Sequence, residues 1–362
     1  MSDALDAIDW PPAWPRTLDA EFGPPLPGDY RARPEDFVVE EVLDFAPEGE
    51  GEHLWLRVEK RDLTTAMAVR ELARLCEVSP RAVGYSGMKD RVAVTRQWLS
   101  VQLPGRPAPA GLDAALTQRG IRVLEAARHP RKLKRGVHRA NRFRLRVTGE
   151  AAGDERLAAR WHCLVEAGVA NYFGPQRFGP DGRNLQRARA LLSRGWRKRD
   201  DRDGMLLSAA RSHLFNELLA ARVAEGSWNR LLPGEVAVLD GTASQFRVEA
   251  PDAELADRVA RLDLHPSGVL WGTGGSVAEG EARGREARLA ERYPGLCAGL
   301  ERAGVRLARR PLRLRLAEPR LERGEGELWL AFALPRGAFA TAVLRELIAH
   351  PTLQAGTHHE RN

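Results

Sequence analysis

The segment Asn141 to Val147 (Asn-Arg-Phe-Arg-Leu-Arg-Val) repeats its chemistry every second residue. Successive side chains of a β-strand point to opposite faces, so this pattern predicts a strand with Phe143, Leu145 and Val147 turned to a core. Arg142, Arg144 and Arg146 then share the other face, and a slip of one residue would bury them. Similar patterns predict strands at Phe37–Val42, His53–Val58, Val83–Ser86, Thr95–Leu103, Leu312–Leu316 and Glu327–Leu334. Pro104 stops the fourth of these, and the Pro- and Ala-rich stretch after it reads as loop. Thr65 is placed to cap a helix that buries Val69, Leu72 and Cys76. Asp154 is placed to cap another, with Leu157, Trp161 and Leu164 inside and an end at Gly168. Residues 1–30 read as an irregular arm. Between Gly168 and Arg310 the texture turns helical (183–194 and 208–225), with short strands near 239–250 and 268–275. A helix over 340–348 follows. The expected fold class is α+β: a mixed, mainly antiparallel sheet drawn from both ends of the chain, with a middle that forms a separate unit.

A chain of 362 residues, 43% hydrophobic and 29% charged, has the volume and composition of a globular protein. Its formal net charge is +7, mostly from Arg. The guanidinium fork suits phosphate and its flat face stacks on bases, so nucleic acid is one reading and a solubilising surface the other. Cys76, Cys163 and Cys297 are too widely spaced for a zinc site, and their sparse use fits a reducing compartment. Met1 to Trp10 carries acids and no basic residue, unlike a secretory leader. No apolar run reaches the ~20 residues that a membrane-spanning helix needs. These features point to the cytoplasm.

Residues 126–149 hold nine Lys or Arg and no acid. Such a run suits a polyanion, with phosphate the obvious one, or forms a solvated basic face. In Met88-Lys89-Asp90-Arg91, a carboxylate between two cations favours its charged form, as a nucleophile requires. Gly84 and Gly87 permit a tight turn and close approach of substrate. The plain alternative is a surface turn with a local ion pair. Asn171 to Gly179 (Asn-Tyr-Phe-Gly-Pro-Gln-Arg-Phe-Gly) reads either as a base-reading loop or as a junction whose aromatics plug the core. Gly272–Ser276 lacks the spacing of a phosphate loop and reads as a turn. His213 has no Ser or Cys partner by spacing and reads as structural.

In order along the chain, several segments resemble the TruD family, pseudouridine synthases that act on uridine 13 of transfer RNA. They are Arg33–Glu41 (Arg-Pro-Glu-Asp-Phe-Val-Val-Glu-Glu), Gly87–Gln97 (Gly-Met-Lys-Asp-Arg-Val-Ala-Val-Thr-Arg-Gln), Asn171–Gly179, Arg211–Asn216 and Leu334–Thr341 (Leu-Pro-Arg-Gly-Ala-Phe-Ala-Thr). The resemblance implies a pseudouridine synthase fold split in sequence. Residues 1–167 and 311–350 would form the catalytic domain, 168–310 an inserted α/β domain, and 351–362 a polar tail. It also implies Asp90 as nucleophile, with Phe37, Asn141 and Phe339 as substrate contacts. Where the family usually has Gly-Asn, this chain has Ala140-Asn141. At a position where the family has Lys, it has Arg31, a cation that would pair with Asp90 if geometry allows.

Isomerising uridine breaks the N1–C1′ bond, turns the uracil and joins C5 to C1′. No redox change or net hydrolysis occurs, so no cofactor is expected and transfer RNA is the partner, with no obligatory protein partner evident. Two other classes use parts of the same pattern. A nonenzymatic RNA-binding protein would use the basic segment but not Asp90. An RNA N-glycosidase would use a lone Asp but release free uracil.

Overall fold

The computed structural model describes residues 8–196 and 201–354, with only the backbone of 201–203. Residues 1–7 and most of the expected polar tail, 355–362, lie outside the described residues. Two compact units divide the chain: residues 28–153 with 317–337, and residues 1–27 with 154–316 and 338–362.

The first unit is built on eight strands: β1 (Phe37–Val42), β2 (His53–Arg61), β3 (Val83–Tyr85), β4 (Val94–Gln102), β5 (Ile121–His129), β6 (Ala140–Val147), β7 (Ala317–Gly324) and β8 (Glu327–Pro335). They form one sheet in the order β7-β8-β6-β1-β4-β2-β5, with β3 on β4 beyond the end of β1. All pairings are antiparallel except β1 with β4. The alternation of β6 is realised as expected: Phe143, Leu145 and Val147 are buried, and Arg142 and Arg144 are exposed. Phe37, Val39 and Glu41 of β1 lie on the same buried face, in register with Leu145, Phe143 and Asn141. β8 completes the row, with Phe332 opposite Phe143 and Leu334 opposite Asn141.

Helix α1 (Thr65–Leu75) packs Ala68, Val69 and Leu72 with Leu56, Val58, Leu99 and Val101 of β2 and β4. Its cap differs by one residue from expectation. The Thr64 hydroxyl accepts from the Met67 amide at 3.2 Å. The Thr65 hydroxyl faces inward and serves the loop before β4. The stretch read as loop after Pro104 holds a short helix, α2 (Leu112–Thr117), and β5. The solvent side of β5 carries no alternation strong enough to announce it, and its partner β2 is far away in sequence.

The second unit is mainly helical. A four-stranded antiparallel sheet runs in the order Ala308–Pro311, Leu264–Leu270, Glu235–Leu239, Gln245–Val248. Val169–Ala170 pairs with Arg313–Leu314. The helix Arg156–Ala167 starts where Asp154 accepts from the Arg156 amide at 3.0 Å and stops at Gly168, whose φ of 82° favours glycine. A long helix, Asp201–Ala224, extends the predicted one toward the N-terminus. Among the described residues no helix is long and apolar enough to cross a membrane.

Candidate active site

Asp90 lies in the loop between β3 and β4, at residues 86–93. The loop is held from behind by side chains of α1, β1 and β4. The Thr65 hydroxyl accepts from the Lys89 amide at 2.9 Å and donates to Gln97 Oε1 at 2.9 Å. Gln97 Nε2 donates in turn to the Gly87 carbonyl at 3.1 Å. A second tie runs to the basic loop, because the Gly136 amide donates to the Ser86 carbonyl at 2.9 Å. The Ser86 hydroxyl accepts from the His138 amide and lies 2.7 Å from His138 Nδ1. Burial lowers the His138 pKa, which favours the neutral ring and lets the hydroxyl donate to that nitrogen.

The expected sandwich of Asp90 between its neighbouring cations does not form. Lys89 turns inward and pairs with Glu41 at 2.8 Å, its side chain 5% exposed and that of Glu41 fully buried. Arg91 turns to Asp62 at 3.2 Å. The cation beside Asp90 is Arg31, whose Nη2 is 3.4 Å from Asp90 Oδ2. Asp90 itself is 71% exposed. The glycines also act differently from expectation. Neither Gly84 nor Gly87 has a positive φ; both provide space. A Cβ on Gly87 would stand 2.8 Å from Lys89 Nζ, and one on Gly84 would stand 2.4 Å from the Leu133 carbonyl.

Phe37 is buried between Tyr30 and Phe143, with ring centroids 6.0 and 6.2 Å away, and the Arg31 guanidinium lies 4.2 Å above its ring. Arg31 thus touches both Phe37 and Asp90. Asn141 faces Glu41 across the β1–β6 pair, and its Oδ1 is buried with no hydrogen-bond partner. Phe37, Asn141 and Asp90 therefore belong to one unit, linked through Arg31 and the Glu41–Lys89 pair. Phe339 belongs to the other unit. It precedes the helix Ala340–Leu347, half-buried against Phe173, with Arg177 over its ring.

The basic segment is less free than its sequence suggests. Arg142 forms a two-pronged pair with Glu318 at 3.0 and 3.1 Å. Arg146 reaches Glu327 at 2.5 Å and Asp36 at 3.4 Å. Arg144 lies 3.9 Å above the Trp329 ring. Glu318 of β7, Glu327 of β8 and Asp36 pair with Arg142 and Arg146, so the outward face of β6 is a laced surface and not a bare cationic row, while Glu48 and Asp44 lie beside Arg131 and Arg139.

The aromatic segment 171–179 resolves toward core packing. Tyr172, Phe173 and Phe178 are buried, and the Asn216 side chain brackets the Phe173 backbone with two bonds of 2.9 Å. Arg211 donates to three carbonyls, those of Leu270, Trp271 and Arg306. His213 is buried without a hydrogen-bond partner, and burial pushes its pKa down to about 4, so it is a neutral packing residue.

The model of the family "tRNA pseudouridine synthase D (TruD)" matches residues 22–198 and 200–347, most of the chain. The chain belongs to the tRNA pseudouridine synthase D family. This is a family of isomerases. A relative from Chromohalobacter salexigens, called tRNA pseudouridine synthase D, is 60% identical over 95% of this chain and 98% of its own length. One of the same name from Pseudomonas entomophila is 46% identical over 90% of this chain and 94% of its own length. A crystal structure of a putative tRNA pseudouridine synthase D from Methanosarcina mazei superposes with a TM-score of 0.67. It covers 91% of this chain and 95% of that one at 21% identity, a likeness of fold.

Several residues around the Asp90 loop are not singled out by the sequence. Glu41 is one, although a charged residue in the buried register of β1 is a readable signal. Lys60 is another. It is buried on β2, donates to the Leu63 carbonyl, and has a pKa lowered to about 8. Burial is the main cause, the charge of Lys89 adds to it, and Asp90 opposes it. No pattern around Lys60 or His138 distinguished them from surface residues.

Proposed function

We propose that the protein converts uridine to pseudouridine at position 13 of transfer RNA, with the Asp90 carboxylate as the reacting group. The observation that carries this reading is an exposed carboxylate on a rigidly backed loop, with one guanidinium at its side. A nucleophile needs access and a fixed position, and this arrangement supplies both.

In the nucleophilic route, a carboxylate oxygen attacks C1′ and the N1–C1′ bond breaks. The uracil leaves as an anion, turns, and attacks C1′ through C5 while the carboxylate departs. The C5 proton passes to solvent and N1 gains one, so atoms and charge balance without a cofactor. In the elimination route the same carboxylate takes a proton instead. Arg31 steers the carboxylate oxygen in either case. The Asn141 Oδ1, buried and unpartnered, is a ready acceptor for a donor on the flipped nucleotide. Phe37, packed beneath Arg31, and Phe339, in the other unit, are the remaining proposed substrate contacts. Residues 1–167 and 311–350 act as the split catalytic domain and 168–310 as the inserted domain. A transfer-RNA substrate is consistent with work in the cytoplasm.

The test is incubation with transfer RNA carrying 5-tritiated uridine. Isomerisation at position 13 releases tritium to water. Release of labelled uracil would make the protein a glycosidase, and release of neither would make it a binder. Asp90→Asn should abolish tritium release while RNA binding stays within a few-fold; a variant that still isomerises removes Asp90 from its role.

A further inference from the structure

A cavity of about 580 Å³ opens beside β3, lined by Arg70, Arg81, Lys132, Lys134, Arg135 and an apolar floor that includes Val69 and Val83. No carboxylate lines it. This distinguishes it from the β6 face, where acids from β7 and β8 occupy the guanidinium groups. Here Lys132 donates to the Arg81 carbonyl and Arg135 to the Tyr85 hydroxyl, bonds that orient the two cations without neutralising them. Arg70, Arg81 and Lys134 are exposed, and among the described residues none of them forms an ion pair with an acid.

The cavity is built into the fold. The loop that brings Lys132, Lys134 and Arg135 lies directly on Gly84, where any Cβ would meet the Leu133 carbonyl at 2.4 Å and Lys132 Cγ at 2.9 Å. The Leu133 amide donates to the buried Ser100 hydroxyl at 3.0 Å, which fixes the same loop to β4. Like charges gathered this closely repel one another, a cost that a polyanion removes. The cavity is also near the chemistry. Tyr85 on its rim is five residues from Asp90, which limits their Cα separation to about 18 Å. An RNA strand with a nucleotide at Asp90 has its neighbouring phosphates within that range.

We infer that this cavity is a phosphate-binding subsite for the RNA substrate. It takes the sugar-phosphate backbone a few nucleotides from the reacting uridine, through Arg70, Arg81 and Lys134, with Lys132 and Arg135 as oriented support. The contact is with phosphate, so it sets register and affinity and reads no base. The inference rests on the RNA-modifying reading above and extends it to a surface outside the reacting centre.

The experiment compares transfer-RNA affinity across salt concentrations for the wild type and two triple variants of equal charge. One is Arg70→Ala/Arg81→Ala/Lys134→Ala. The control is Arg61→Ala/Arg119→Ala/Arg122→Ala, which removes exposed cations beside Glu35, Glu71 and Glu59. Each lost phosphate contact should lower the slope of log K against log salt by about one, so the cavity variant should lose two to three and bind roughly 10- to 100-fold more weakly at moderate salt. The control should lose clearly less. Circular dichroism melting checks that both are folded, and Lys134→Ala alone, at an exposed loop position, should lose about one unit of slope. Equal losses in both triple variants, or none in the cavity variant, overturn the subsite. Unchanged RNA binding with lost binding to poly-aspartate would reassign the cavity to an acidic protein partner and likewise overturn it. If the wild type binds RNA but makes no pseudouridine, the isomerase reading fails alone, and the slopes still judge the cavity.

Discussion

In the loop after β3, the backbone passes from an interior half to an exposed half within one peptide bond. Lys89 is buried with its ammonium on Glu41, and its amide is held by Thr65. Asp90 points outward, 71% exposed, with the tip of Arg31 3.4 Å from its carboxylate. The difference separates two tasks. Buried charges are costly unless paired, so the Lys89–Glu41 pair defines one position of the loop and resists others. An exposed carboxylate costs little to keep charged and contributes little to stability, so its place in the molecule is explained by what it meets from outside.

The sharpest way to break this comparison is Asp90→Asn. It should reduce pseudouridine formation on the order of 10⁴-fold or more, as loss of a principal reacting group does. Urea unfolding should barely change. Glu41→Gln should do the reverse, leaving the Lys89 ammonium buried without its carboxylate and costing about 3–5 kcal/mol in urea unfolding. The double variant Glu41→Leu/Lys89→Met should recover most of that stability, since an apolar pair removes the stranded charge. A neutral Glu41→Gln would show that the interior half is no anchor.

Lys60 couples the two halves through pH. Burial and the Lys89 charge lower its pKa to about 8 in the folded protein, against about 10.4 in an unfolded chain. Between these values the unfolded state holds the extra proton, so this group's contribution to stability rises with pH from about 8 to about 10.4 and is flat below. The full rise is about 3 kcal/mol. Lys60→Met should lack it in urea titrations run across that range. Because Asp90 opposes the depression, Asp90→Asn should move the Lys60 titration lower still, readable by NMR of the side chain. An unmoved titration would mean that the halves do not sense each other. The smallest effect is expected from Arg31→Ala: about tenfold in rate and under about 1 kcal/mol in stability, since its ion pair is largely open to solvent.

Much of this was legible beforehand because it is local. Period-two patterns gave β1, β2, β4, β6 and β8, and ordered motifs gave the family. Arg31 was readable as a cation fit to meet Asp90, and the two do meet. What escaped depends on pairing between distant segments. Arg142 and Arg146 looked uncompensated because Glu318 and Glu327 come from strands made long afterwards, and only register brings them opposite. Lys89 and Arg91 looked like partners of Asp90 because they adjoin it, yet neighbours in an extended loop point apart. β5 was missed because half its face is exposed and its partner is remote. By sequence Thr64 and Thr65 are equally able to cap; the choice is made by Lys89 and Gln97, which only the folded chain presents.

The β6–β8 pairing has a consequence for how the molecule is made. β6 sits in the middle of the finished sheet, between a strand that emerges early and one that emerges near the end. While the ribosome works through the intervening residues, on the order of ten seconds or more, β6 is an open edge with its ladder of amides and carbonyls unmatched. Arg142, Arg144 and Arg146 then lie along that edge without Glu318, Glu327 or Trp329. A row of like charges discourages another strand from docking there, so the same three residues that lace the finished sheet guard the unfinished one.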